Sequence, residues 1–236
     1  MKNVVIMQPF YLFLRKHFHL IQRADLYIFM DDVQFVKNSH HNRNRIKTAD
    51  GLKWLTVPVF HKGRYGQLLK DVKIDNNKNW RKKHWLSIVN NYSKAPYFKM
   101  YSDFFEDVYN KDWEKLTELN IYLIKGISDF LGINKTEFIS LSELNISNDN
   151  PTQRLIDICE KVQATDYITG TRAKDYIELP LWKKTEVRLN FFEPAYPPYP
   201  QQYGEFTDDC SIIDLLFNSG KNSGNYIWNE NEVNNI

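Results

Sequence analysis

Two short apolar runs open the chain, Asn3-Val-Val-Ile-Met7 and Leu26-Tyr-Ile-Phe-Met30, with a mixed stretch between them. Short apolar runs bounded by polar residues predict buried strands. Residues 12–22 predict the helix that joins them, and two buried strands linked through a helix form a β-α-β unit with parallel strands. Ligands of parallel sheets collect beyond the carboxyl ends of the strands. The turn Gln8-Pro9-Phe10-Tyr11 and the carboxylate pair Asp31-Asp32 each follow a strand end, so both are expected on one edge of the sheet.

Further along, residues 54–60 predict a strand that Pro58 places at an edge or a strand end. Residues 62–67, with two glycines, predict a mobile loop, and Trp80–Tyr92 a helix carrying Arg81-Lys-Lys-His84. Residues 112–131 give the clearest helix: Leu116, Leu119, Leu123, Ile127 and Phe130 recur at helical spacing, with Asp112 as cap and Gly132 as stop. Asn150-Pro151 opens another helix, reaching about Val162. A strand at 165–169, a turn from Gly170 to Lys174, a helical stretch at 175–182 and a strand at 187–192 make a second β-α-β unit. Residues 193–206 hold four prolines and three tyrosines and predict a rigid loop, followed by a short buried helix at 212–217. The Asn-rich last dozen residues are expected to fray. The fold class expected is α/β, a largely parallel sheet of two β-α-β units. A helical segment, roughly residues 78–131, is inserted between them, all within one domain of 1–236.

Charge changes this picture. The net charge is +2, yet residues 37–94 carry 14 Lys/Arg against 3 Asp/Glu, while the rest of the chain is acidic on balance. From Val33 to Ala49 no acidic residue occurs, and Asn42, Arg43, Asn44, Arg45 and Lys47 fall close together. Arg offers a planar fork of donors that fits carboxylate or phosphate, and Asn both donates and accepts. Beside Asp31-Asp32, that cluster reads as a pocket for an anionic, polar ligand; the alternative is a lysine-rich solvated face. Aromatic residues make up 15% of the chain, which supplies flat faces for sugar rings or bases as well as core filler.

Several chemistries find no support. GxxxxGK[ST], GxGxxG, HExxH and Gly-x-Ser-x-Gly are all absent, and Thr169-Gly170-Thr171 is a weak phosphate signal. Cys159 and Cys210 stand far apart without a CxxC, so neither a disulfide framework nor a thiol-rich zinc site is indicated. Adjacent histidines such as His40-His41 usually point apart, so no metal is expected, and His17 and His19 read as surface residues. The first residues lack an apolar stretch long enough for a signal peptide or membrane span, which favours a cytoplasmic location. With covalent catalysis disfavoured, positioning with acid–base assistance is expected. Two proton acceptors stand out: His84, whose neighbours Arg81, Lys82 and Lys83 should lower its pKa, and Asp32 at the sheet edge. The substrate-binding set expected is Gln8, Tyr11, Asp31, Asn42, Arg43, Arg45, Lys47, Lys83, Gly170, Arg172 and Gln201.

These residues resemble the WbqC-like proteins of bacterial surface-polysaccharide gene clusters. The matching pieces are Gln8-Pro-Phe-Tyr-Leu12, Asp31-Asp-Val-Gln-Phe35, Asn42-Arg-Asn-Arg-Ile-Lys47, Trp54-Leu-Thr-Val-Pro58 and Trp80-Arg-Lys-Lys-His84. Ala95-Pro-Tyr-Phe98, Tyr167-Ile-Thr-Gly170, Tyr199-Pro-Gln201 and Ser211-Ile-Ile-Asp-Leu-Leu-Phe-Asn218 complete them, in order along nearly the whole chain. One departure lies in the first loop, where Phe13-Leu14 and Lys16-His17-Phe18 replace the family's Pro-Trp and Gly-Tyr-Phe. The resemblance implies a role in O-antigen amino sugars: transfer of an acyl or aminoacyl group, such as glycyl, to the amino group of a nucleotide-linked amino-deoxysugar. An ATP-dependent ligase or nucleotidyltransferase, or a non-catalytic nucleotide-sugar or glycan-binding accessory protein, remains as an alternative. No cofactor is indicated and the acyl donor is open. No nucleic-acid partner is expected beyond aminoacyl-tRNA as a conceivable donor, and a homodimer is possible.

Overall fold

The structure, a computed structural model, describes residues 1–228. In chain order the elements are β1 (Asn3–Met7), α1 (Arg15–Arg23), β2 (Leu26–Phe29), β3 (Arg43–Thr48), β4 (Gly51–Thr56), α2 (Trp80–Tyr92), α3 (Phe98–Asn110) and α4 (Leu116–Phe130). They continue as β5 (Glu137–Ser140), α5 (Pro151–Lys161), β6 (Asp166–Gly170), α6 (Leu179–Trp182), β7 (Arg188–Phe192) and α7 (Ile212–Ser219).

Five strands form a sheet in the order β5-β2-β1-β6-β7, and every pairing in it is parallel. Both expected β-α-β units are present, joined edge to edge through β1 and β6, and the fold is α/β. The chain moves outward from β1 through β2 to β5, then returns to β6 on the other side of β1. That reversal makes the gap between the carboxyl ends of β1 and β6 a topological switch point, where doubly wound sheets leave room for ligands. Alternation along the strands divides the core. Val4, Ile6, Leu26 and Ile28 pack with Leu155, Ile158 and Trp182 of α5 and α6. Val5, Tyr27 and Phe29 face the other way, into the larger cluster built with Phe18 and Ile21 of α1 and the helical segment α2–α4. Within that segment α3 and α4 approach closely at Gly126, where a Cβ would lie 2.4 Å from the Phe104 ring.

The sequence pattern misses α3, the short edge strand β5, and β3 with its antiparallel pairing to β4. The clearest helix begins at Leu116 and not near residue 112. Asp112 pairs with Arg81, while Lys115 is still extended and bridged to Lys73. Strand β4 stops at Thr56; Pro58 has no N–H for a ladder, and only an isolated Val59–Ile74 bridge follows. For the last dozen residues, 229–236 lie outside the described residues, and Ile227 before them is buried.

Candidate functional site

The acid-free run is a strand, and its alternation explains the mixture of Asn and Arg. Asn42, just before β3, and then Asn44 and Ile46 turn to the core, while Arg43 and Arg45 take the outer face. Register sets Arg45 opposite Trp54 of β4 and Arg43 on the diagonal. The guanidinium carbons lie 4.2 and 5.0 Å from the Trp54 ring centre, and that ring is 40% exposed. Arg45 forms an ion pair with Asp209 at 3.0 Å. Arg43 has no carboxylate partner among the described residues, and its buried Nε has no hydrogen-bond partner there.

The loop after β1 is bolted to this hairpin by amides. Asn44 Nδ2 donates to the Leu12 carbonyl at 2.6 Å and also reaches the Tyr11 carbonyl. Asn120 of α4 donates to the carbonyls of Pro9 and His41. Leu12 is held at φ +47°, a conformation costly for a branched side chain and stable only where the surroundings fix it. Phe10 projects from this loop among three histidines: His41 stacks on it at 5.5 Å, His17 lies at 5.8 Å and His40 at 6.4 Å. His41 Nε2 is 2.8 Å from Gln8 Oε1, and the His40 ring is 5.9 Å from Trp54. A chain of contacts therefore runs from Gln8, at the end of β1, through the buried His41 and then Phe10 to His40, Trp54 and the two arginines.

Burial pushes these imidazoles toward the neutral form. Desolvation, reinforced by Lys16 and His40, lowers His17 to about 3; desolvation and His40 lower His41 to about 4. His40 is lowered first by burial and then by Arg45, Lys16 and Arg43, with Asp209 opposing.

The remaining sequence-predicted residues go elsewhere. Asp31 accepts from the Ser142 N–H and hydroxyl, and Asp32 pairs with Arg154 of α5 at 2.6 Å, so neither carboxylate is held by Arg43 or Arg45. Tyr11 is fully buried and does not line the cleft; its hydroxyl meets His84 Nδ1 at 2.9 Å and Tyr109 at 2.6 Å. His84 faces inward between Trp80 and Tyr109. Its pKa falls to about 4 as expected in direction, but desolvation is the cause, not the cations beside it in sequence. Lys83 is exposed on α2. Asn42 is buried, its amide donating to Val57 O and its Oδ1 unpartnered. Lys47 Nζ binds Gln201 Oε1 and the Glu205 carbonyl, and Gln201 Nε2 in turn reaches the buried Asp214. Gly170 ends β6 beside the switch point with open space around it, and Arg172 is exposed just beyond.

Residues 193–210 form a strap over the hairpin. The buried Arg15 pins it, donating to the Pro197 carbonyl at 2.7 Å and pairing with Asp208, its guanidinium over Tyr196, Tyr199 and Phe206. Between strap and hairpin tip lies a concavity of about 240 Å³ lined by Lys47, Leu52, Tyr203 and Glu205. The only charge it could offer an anion, Lys47, is already committed, so the arginine face is the better site. Among the described residues no three His, Cys, Asp or Glu side chains are placed to hold a metal ion.

The model of the WbqC-like protein family matches residues 8–226. The chain belongs to that family. It is also 36% identical over 229 residues to the uncharacterized protein Rv1507c of Mycobacterium tuberculosis (strain ATCC 25618 / H37Rv), covering 96% of this chain and 98% of that one. No solved structure matches. In this WbqC-like chain the matched span takes in the loop after β1, the hairpin and the strap, which together build the arginine–histidine face.

Sequence reasoning left Phe10, His17, His40, His41 and Trp54 without a site role. Trp54 sits nine residues beyond Arg45, and only the hairpin register brings them together. The pair His40-His41, separated from Arg43 by one residue, was the available signal. The two rings do point apart, His40 toward Trp54 at the surface and the buried His41 toward Gln8.

Proposed function

We propose that this WbqC-like protein is a transferase that joins an acyl or aminoacyl group, such as glycyl, to the amino group of a nucleotide-linked amino-deoxysugar. The observation that carries the reading is the pair Arg43 and Arg45 around an exposed Trp54, set against the loop at the end of β1. A sugar nucleotide joins a diphosphate to two rings, and this face offers guanidinium forks for the phosphates and an indole for a ring. The chemistry follows from what surrounds it. Both thiols are buried and pushed up to about 12, so they are poor nucleophiles, which favours direct attack by the sugar amine on an activated acyl group. Neutral imidazoles beside the arginines supply proton acceptors.

The reversed strand order at β1 and β6 also favours a second reading, an ATP-dependent ligase or nucleotidyltransferase. A thermal-shift screen with dTDP, UDP, GDP, ATP and coenzyme A tests both. A ligand at 100 times its dissociation constant stabilises by about 2.7 kcal/mol. Stabilisation by a pyrimidine diphosphate and amide formation without ATP consumption support the transferase. ATP-dependent turnover selects the ligase, and no response to any nucleotide defeats both.

A further inference from the structure

The histidines around Phe10 differ in what their nitrogens are doing. His41 uses both, accepting from the Val36 N–H through Nδ1 and meeting Gln8 through Nε2. His17 Nδ1 accepts from the Leu14 N–H inside the first turn of α1. His84, behind the loop, is sealed by Tyr11 and by the Thr56 carbonyl. Neither ring nitrogen of His40 has a hydrogen-bond partner among the described residues, while its carbonyl is fixed by the Tyr11 N–H at 2.9 Å. The ring is half-buried, edge-on to Phe10 and 5.9 Å from Trp54, on the surface that carries Arg43 and Arg45.

Resting on the transferase reading, we propose that His40 is the general base that takes the proton from the attacking sugar amine. The neutral amine R–NH2 adds to the carbonyl carbon of an activated donor R′C(=O)X, with X a thiol, alcohol or phosphate leaving group. The C–N bond forms, the nitrogen becomes positive, and its proton passes to a free nitrogen of His40. The C–X bond then breaks, X leaves with its electron pair, and the imidazolium returns the proton to X. The balance is R–NH2 plus R′C(=O)X giving R–NH–C(=O)R′ plus HX. A base must be neutral to act, and partial burial first, then Arg45, Lys16 and Arg43, push the His40 pKa down, with Asp209 on the strap opposing; His17 and His41, which also face it, are themselves uncharged. The arginines that would bind the diphosphate thus add to burial in disfavouring protonation of the base.

The test uses the full chain with a dTDP-linked 4-amino-4,6-dideoxysugar, offered with glycyl-coenzyme A, glycyl-adenylate and glycyl-tRNA in parallel, and dTDP binding by calorimetry as a separate readout. His40→Gln and His40→Ala should lower turnover about 10²-fold or more, the usual contribution of a positioned base, and leave the dTDP dissociation constant within twofold. The wild-type acid limb should lie below the ordinary histidine value and be absent in both variants, and added imidazole should restore part of the rate of His40→Ala. Turnover retained within threefold in both variants overturns the proposal and leaves the transferase reading standing. Parallel loss of dTDP binding and turnover makes His40 a binding residue and also overturns it. If the wild type converts the amino sugar with none of the three donors, the transferase reading falls and His40 with it.

Discussion

Two charged regions flank the end of β1, and they are wired in opposite ways. On the β2 side, Asp31 is satisfied by Ser142 and Asp32 by Arg154, side chains of the same fold with little exposure. On the hairpin side, Arg43 has no carboxylate partner among the described residues, and Arg45 has only Asp209, 67% exposed on the strap. A carboxylate pair and an arginine pair look equally promising in a sequence. The difference lies in where the compensating charge comes from. Charge neutralised from within the fold holds elements together, whereas charge left to solvent or a loosely held partner is available to a ligand.

The closed, histidine-bearing interior should break first in acid, with the largest effect. His19, His41 and His84 are held near 4 and His17 near 3, chiefly by burial. An unfolded chain takes up those protons near pH 6.5, so between about 6.5 and 4 it binds more protons than the folded one. Stability is complete above 6.5 and is lost as the pH falls through that window. Each histidine contributes on the order of 1–3 kcal/mol, enough together to consume a typical folding free energy. Urea midpoints at pH 7, 6, 5 and 4 should fall steeply; a flat profile would refute the burial of these rings.

Next come substitutions that separate the two regions by kind. Asp32→Asn leaves the half-buried Arg154 without its anion, and His84→Ala opens a hole beneath Tyr11 and Tyr109. Each should cost about 2–4 kcal/mol in urea unfolding. Arg43→Lys should stay within about 0.5 kcal/mol. If Asp32→Asn is neutral while Arg43→Lys unfolds the chain, the comparison is inverted.

A smaller effect is expected at the open face. Arg43→Lys and Arg45→Lys should each weaken dTDP binding by about tenfold, because Lys supplies a point charge and no fork, and cannot lie flat on Trp54 as the guanidinium does. Calorimetry at one fixed salt concentration measures it. Unchanged affinity in both variants removes the arginine face from the ligand's path.

Strands β1 and β2 were readable as apolar runs, and β6 and β7 as short segments on either side of the Gly170 turn, so both β-α-β units followed. The hairpin was not, because Asn42 and Asn44 occupy its inward positions, and amides that bond buried loop carbonyls look polar in any hydropathy pattern. Strand β5 has four residues and pairs by backbone with β2 alone, leaving little to detect. Helix α3 does carry Phe98, Tyr101, Phe105 and Val108 at helical spacing, but its N-cap, Tyr97, makes no side-chain cap bond to mark its start. Within the site, Arg43 and Arg45 were legible from composition. The surroundings of His84 and His40 were not, since which imidazole is sealed and which is open depends on long-range contacts to Tyr11 and Trp54.

The smallest effect sharpens the comparison most. Asp209 lies on Arg45 as a ligand phosphate would, but an exposed carboxylate–guanidinium pair is worth at most about 1 kcal/mol. It is therefore displaceable, and a ligand anion arriving at Arg45 must compete with it. Asp209→Asn should leave stability unchanged within about 0.5 kcal/mol and tighten dTDP binding by roughly two- to fivefold. The gain should shrink as salt is raised, since screening weakens the competing pair. The same change at Asp32 should leave dTDP affinity alone and cost stability instead. Should Asp209→Asn weaken dTDP binding, the strap carboxylate is part of the binding surface and not an occupant of it, and the hairpin side is then as internally wired as the β2 side.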